Sequence, residues 1–284
     1  MNEELFVHSL QKIFPAGKQV VLGIGDDCAA LELPGMEQYL LAAVDQVVEG
    51  IHYLPGTPVE KIAGKLVRRN VSDIASMGGT PAFAMLSMAL SSKKDLMKFH
   101  EAVQKECEKY GIQVIGGDLS GAVSGSVYSF SILGFAEREK MKTRSGVRAG
   151  DALYSCGAFG RSFPTGWHLD FEPQLSAGKI LSRCPEVHAM MDVSDGLLKD
   201  SLRMAEASSL QLYLDFDAIP RRDSATLEEA LFDGEDYALI FAASPEFVSP
   251  VNTVKIGEFS SGTPGRLLNK ISINRKGFDH FEYE

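Results

Sequence analysis

The sequence predicts an α/β or α+β fold. Apolar runs of strand length alternate with stretches whose apolar residues recur at helical spacing, and no repeat or low-complexity tract interrupts them. The chain has 284 residues, 45% of them hydrophobic, which is enough for one large core or two medium ones. A polar, basic stretch at 137–150 has no apolar period and is the candidate domain junction.

In chain order, apolar recurrence at helical spacing predicts helices over 5–14, 59–77, 96–110, 197–209 and 226–231. Short apolar runs predict strands over 39–44, 82–90, 112–115, 127–135, 152–156, 211–216 and 237–243. Residues 158–175 are irregular and read as a functional or connecting loop. The helix 59–77 is the most informative. Ile62, Ala63, Leu66, Val67 and Ile74 make one apolar stripe, and Asn70 and Asp73 fall inside it. A carboxylate on a core-facing stripe costs several kcal/mol unless a cation or donors meet it. Asp73 therefore has a basic partner or faces a metal; Arg68 and Arg69 are near in sequence but point elsewhere.

The bulk numbers exclude several classes. A net charge of -10 makes a bare phosphate backbone a poor partner, so no nucleic acid is expected. No apolar run has the roughly 18 residues needed to cross a bilayer. The opening Met1-Asn2-Glu3-Glu4 carries acid where a signal peptide carries base. Cys28, Cys107, Cys156 and Cys184 have no zinc spacing and read as reduced thiols, so a cytosolic protein is expected.

Five acidic clusters stand beside glycine turns. Asp26-Asp27 follow Gly23-Ile24-Gly25, and Asp45 closes the apolar run 39–44, ahead of Gly50 and His52. Gly116-Gly117-Asp118 follows 112–115, and its amides can approach a phosphate. Asp192-Val193-Ser194-Asp195-Gly196 precedes a helix that Ser194 or Asp195 can cap. Gly234-Glu235-Asp236 leads into the apolar run 237–243. Each alone reads equally as a polar turn. Gathered together, such carboxylates repel unless cations join them, which implies Mg2+ bridging an anionic ligand. There is no GxxxxGK[ST] loop, no HRD and DFG pair, no GxSxG elbow and no HExxH helix.

The ordered set GIGDDCAAL, DQVVEGIHY, NVSDIASMGGTPA, GIQVIGGDLS, TRSG, MDVSDGL, GEDYALIF and KGFDHF resembles the thiamine-monophosphate kinase family, over essentially the whole chain. That family lies within the aminoimidazole ribonucleotide synthetase-like superfamily. The resemblance implies an N-terminal domain (1–137) that dimerises through its sheet and a C-terminal α/β sandwich domain (138–284). It implies a homodimer that uses ATP and Mg2+ to phosphorylate thiamine monophosphate by direct in-line transfer. By motif, Asp27, Asp45, Asp73, Asp118, Asp192 and Asp195 would hold magnesium. Gly117, Asp118, Arg144, Ser194 and Tyr110 would touch the nucleotide, with Asp118, Asp195 and Arg144 serving the chemistry. His52, Glu235 and Phe278 would line the thiamine side.

The chain departs from the family at Ala43-Val44, where a Ser-Thr pair is usual, at Leu119-Ser120, and across 157–175, where Glu172-Pro173-Gln174 replaces a proline-arginine stretch. The Ala43-Val44 and Glu172–Gln174 departures keep a catalytically weakened thiamine-phosphate binder in play, and another ATP-dependent superfamily synthase is the second rival.

Overall fold

The computed structural model describes residues 3–92 and 94–270. The N-terminal half runs α1 (Glu3–Ile13), β1 (Val20–Leu22), β2 (Ala29–Leu31), β3 (Gln38–Val48), α2 (Val59–Ser76), β4 (Thr80–Leu90), α3 (Leu96–Tyr110), β5 (Gln113–Gly121) and β6 (Val127–Glu137). The C-terminal half runs β7 (Ala152–Cys156), α4 (Ser162–Thr165), α5 (Trp167–Asp170), α6 (Leu175–Leu181), β8 (Val187–Asp192), α7 (Leu197–Ala207), β9 (Gln211–Leu214), α8 (Leu227–Phe232), β10 (Leu239–Ala243) and β11 (Val254–Ser260).

Each half builds its own sheet. The first has the order β1-β2-β3-β6-β4-β5, and the second β8-β10-β7-β11-β9. Among the named strands of the described residues, only β4 and β5 pair in parallel; the other strand pairings are antiparallel. The first core lies between α2, α3 and one face of the first sheet. The second sheet buries both faces, one under α7 and α8 and one around Leu181, Met190, Phe241 and Phe247. Strand β10 is buried along its whole length, which accounts for its unbroken apolar sequence.

Helix α2 holds the halves together. Leu66, Val67, Val71 and Ile74 are fully buried against the first sheet, each contributing about 1.5–3 kcal/mol. Its other side carries Lys65, Arg69, Asn70, Ser72 and Ser76, and these are buried too. Arg69 and Asn70 meet Asp45 of the first sheet, while Lys65 and Ser72 reach the second half, where α6 and β8 pack on α2. That packing is close: a Cβ built on Gly178 of α6 would stand 2.1 Å from the Ala75 carbonyl oxygen.

Four local expectations are corrected. Asp45 does not end a strand, because β3 continues to Val48, paired with β6 throughout. Gly116-Gly117-Asp118 is not a turn either; it lies inside edge strand β5, whose pairing with β4 keeps it extended. Neither Ser194 nor Asp195 caps α7: the N-cap is Gly196, and Asp200 on α7's first turn accepts from the Ser194 and Asp195 amides at 3.0 Å each. The irregular stretch 158–175 contains α4 and α5, each of four residues, too short to show a period in the sequence.

Candidate active site

The polar ridge of α2 meets two concavities. The first is a chamber of carboxylates. Asp26 and Asp27 sit in the turn between β1 and β2, Asp45 on β3, Asp73 on α2 and Asp192 at the end of β8. Burial, followed by the charges of Asp45, Asp192 and Asp27, raises the Asp73 carboxyl well above the usual range. Burial and the charge of Asp27 do the same to Asp192. The Asp26 carboxyl is pushed up to about 7, by burial first and by Asp27 second. These groups therefore share one electrostatic environment.

Cations and donors occupy only part of it. The Arg144 backbone N–H donates to Asp26 Oδ2 at 3.1 Å, and its Nε donates to Asp27 Oδ1 at 2.9 Å. Arg69 Nε donates to Asp45 Oδ2 at 2.8 Å, and Asn70 Oδ1 accepts from the Asp45 amide. Ser72 Oγ donates to Asp192 Oδ2 at 2.6 Å across the two halves. Asp27 Oδ2 is buried with no hydrogen-bond partner. An orphaned carboxylate oxygen among carboxyls that raise one another's pKa is a donor set that fits a hard divalent cation. Among the described residues no three such side chains already form a cage, so a cation here needs oxygens from water or a phosphate, as magnesium commonly takes.

The second concavity is a pocket of about 570 Å3. It draws its walls from the loop after β3 (His52), from α2 (Arg69), from α4 (Phe163), from the turn after β8 (Ser194) and from the turn before β10 (Glu235, Tyr237). The two turns are tied together: the Glu235 amide donates to Ser194 O and the Tyr237 amide to Val193 O. Glu235 and Tyr237 take left-handed backbone, φ 63° and 49°, and strain of this kind concentrates where geometry is fixed for function. His52 Nδ1 accepts from the Val48 amide at 3.1 Å, which places the proton of the neutral ring on Nε2. Arg69 lines this pocket while bound to Asp45, so it joins the two concavities.

Residues 25–136 match the AIR synthase related protein N-terminal domain, and residues 131–251 match the corresponding C-terminal domain. The thiamine-monophosphate kinase of Rhodopirellula baltica is 33% identical over 259 residues, which cover 84% of this chain and 81% of that protein. This chain belongs to the thiamine-monophosphate kinase family. The family's Aquifex aeolicus member is 28% identical, covering 91% of this chain and 92% of its own length. Among solved structures, AaThiL complexed with AMPPCP and TMP superposes with a TM-score of 0.86 at 26% identity, over 99% of this chain and 97% of that one. Escherichia coli HypE, a hydrogenase maturation protein, shares the fold at a TM-score of 0.68 and 17% identity, over 96% of each chain.

Of the residues the thiamine-monophosphate kinase resemblance singles out, Asp27, Asp45, Asp73, Asp192 and Arg144 come together in the chamber. His52, Ser194, Asp195 and Glu235 line the pocket. Asp195 is held by Lys199 Nζ at 3.0 Å and by Arg203 Nη1 at 2.7 Å. Burial pushes its carboxyl up, but these two cations outweigh that and hold it below the ordinary value. Tyr110 ends α3, where its hydroxyl donates to Glu172 at 2.9 Å, and it lines neither concavity. Phe278 lies outside the described residues.

Gly117 and Asp118 stand apart. The register puts Asp118 opposite Ser87, Ser129 and Gln46, whose side chains share the sheet face turned away from α2. A Cβ on Gly117 would run into the backbone of Leu86, so only glycine allows this close pairing.

Sequence reasoning missed Lys65, the role of Arg69, and Tyr237. The signal for the first two was present: 65, 69 and 73 are spaced i, i+4, i+8 and form one ridge beside the apolar stripe. Tyr237 had no such signal, because its aromatic body reads as core.

Proposed function

We propose that this protein transfers the γ-phosphoryl group of ATP directly to thiamine monophosphate, in a magnesium-dependent reaction that yields thiamine diphosphate. One observation carries the reading: Arg69 joins a carboxylate chamber suited to a metal–phosphate group to a pocket large enough for a small heterocyclic ligand. The family relatives and the AaThiL complex with AMPPCP and TMP support the pair of substrates.

Asp27, Asp45, Asp73 and Asp192 would hold magnesium, which would supply neutralisation of the charge developing in phosphoryl transfer. The protein's residues supply the positioning. Arg144 stands above Asp26 and Asp27, where it can swing from carboxylate to nucleotide phosphate. Arg69 guards the passage between chamber and pocket and offers its guanidinium to the acceptor phosphate. An oxygen of that phosphate attacks the γ-phosphorus as the bond to the β–γ bridging oxygen breaks, releasing ADP. The acceptor is already ionised, so no general base is needed. His52 and Glu235 orient the thiamine moiety. Asp195, tied to Lys199 and Arg203, serves more readily by placing those cations near the phosphates than as a metal ligand.

A homodimer completes the reading. The face of the first sheet turned away from α2 is bare and apolar at Val44 and Met85, and edge strand β5 is exposed along its length. Such a surface is normally covered. Asp118 belongs to that surface, so Gly117 and Asp118 reach a nucleotide only in a neighbouring protomer's chamber.

The test is product analysis of purified protein with ATP, Mg2+ and thiamine monophosphate. Thiamine diphosphate and ADP should appear in equal amounts, and phosphorus chirality should invert for direct transfer. ATP hydrolysis without thiamine diphosphate, or undiminished product from Asp73→Asn, would sink the proposal.

A further inference from the structure

Lys65 is fully buried in α2. Its ammonium donates to the His52 carbonyl at 2.5 Å and to Glu235 Oε2 at 2.7 Å. It thus ties the loop after β3 to the turn before β10 at one wall of the pocket. Taking an ammonium wholly out of water is expensive; burial first, with the charge of Arg69 adding to it, brings Lys65 down to about 8 despite Glu235 beside it. A pair kept for stability alone is poorly explained, since an apolar replacement is often as good.

The remaining polar atoms give the explanation. Glu235 Oε1 is buried and has no partner, and neither has the Tyr237 hydroxyl. Tyr237 is 2% exposed, and both residues line the pocket. A purely structural bridge would satisfy both carboxylate oxygens. Here one oxygen is fixed by Lys65 and the other is unpartnered, on a carboxylate whose charge acts on the Tyr237 hydroxyl, in strained backbone. Phe163, stacked on His168 at 3.9 Å, adds a flat apolar wall to the same pocket. An acceptor and a hydroxyl next to an aromatic wall fit a planar heterocycle whose edge carries an amino N–H beside a ring nitrogen.

We infer that Lys65 is a positioning residue for substrate recognition: it fixes Glu235 by one oxygen so that the other, with the Tyr237 hydroxyl, reads the amino edge of the substrate's heterocycle. This rests on the kinase reading, which identifies that heterocycle as the aminopyrimidine of thiamine monophosphate. The ribose and phosphates of ATP take no part in it.

Steady-state kinetics of Lys65→Met, Glu235→Gln, the double variant and Tyr237→Phe, with each substrate varied in turn, test the inference. Calorimetric titration of the same proteins with unphosphorylated thiamine runs alongside. Lys65→Met should raise the thiamine monophosphate KM about tenfold or more, the loss expected for a hydrogen bond to a charged group. The KM for ATP should stay within about twofold, because that contact is not made by the nucleotide. The double variant should be no worse than Glu235→Gln, because Lys65 acts through Glu235. Tyr237→Phe removes only a hydroxyl without a partner, so it folds, and it should show the same selective rise. Effects of Lys65→Met and Glu235→Gln that multiply, or a KM for ATP that rises equally, would overturn the inference. So would a Tyr237→Phe enzyme that matches wild type. If wild type binds thiamine but makes no diphosphate, the kinase reading fails while thiamine affinity across the variants still decides the role of Lys65. A wild type that binds no thiamine compound overturns both.

Discussion

Replacing Arg144 by methionine separates a metal chamber from a merely structural ion-pair network. The Arg144 guanidinium is mostly buried, and the side chain of Asp27 beneath it is wholly so. Methionine would leave Asp26 and Asp27 close together without their shared cation. Removing one partner from a buried pair costs about 3–5 kcal/mol. At roughly 2–4 °C per kcal/mol for a chain of this size class, the midpoint should fall by about 6–20 °C in metal-free buffer. If the same carboxylates hold magnesium, the stripped chamber attracts it more strongly than the native one. At ten times its Kd a cation returns about 1.4 kcal/mol, and a lowered Kd returns more. Calorimetric melting of both proteins, with chelator and then across a magnesium series, reads this directly. The magnesium-induced rise should be larger for Arg144→Met than for wild type. A rise that is equal or smaller would refute the assignment of Asp27 to a metal site.

Other outcomes follow from the same geometry. Gly178→Ala puts a methyl about 1 Å inside contact distance of the Ala75 carbonyl, so it should cost about 1–3 kcal/mol and lower activity. Gly17→Ala, with nothing within 4 Å, should melt like wild type. Ser72→Ala strips Asp192 of its only hydrogen-bond donor among the described side chains and should destabilise by about 1–3 kcal/mol in denaturant titration. The Asp26 carboxyl, raised from 3.8 to about 7, holds a proton in the folded state that the unfolded chain has lost. Its contribution therefore makes metal-free stability fall as pH rises from about 4 to 7. Melting of Asp26→Asn against wild type across that range should show a shallower slope, since the raised Asp73 and Asp192 still contribute. Because magnesium must displace protons held by these raised carboxyls, its apparent affinity should weaken below pH 7 by calorimetry.

What the sequence made legible was periodic or local. Asp73 stood out because a 3.6-residue period put a carboxylate on an apolar stripe, and the structure places it among other acids beside α2's buried ridge. The alternation of elements was readable too, and so was the short helix at 226–231; its capping box, Thr226 with Glu229, came only with the structure. The misses were non-local. Asp45 looked like a strand end because the polar residues after it break the apolar run, yet eleven consecutive pairings to β6 carry the strand past it. The glycine pair before Asp118 mimics a turn, and only parallel pairing with β4 straightens it. The pocket joins His52, Phe163 and Glu235 from three distant stretches. No spacing rule connects them; their partner Lys65 shares a helical ridge with Arg69 and Asp73, but nothing in the sequence ties that ridge to the pocket.

Helix α2 serves both halves at once. One side completes the first sheet's interior, while the other supplies Lys65 to Glu235 and Ser72 to Asp192 in the second half. The functional seam of the molecule therefore does not coincide with its chain boundary near residue 137. A chimera that joins this N-terminal half to a relative's C-terminal half would inherit two intact sheets and a mismatched ridge. Exchange between relatives should succeed only when the outward residues of α2 travel with the C-terminal half, although they lie some 70 residues before it in the chain.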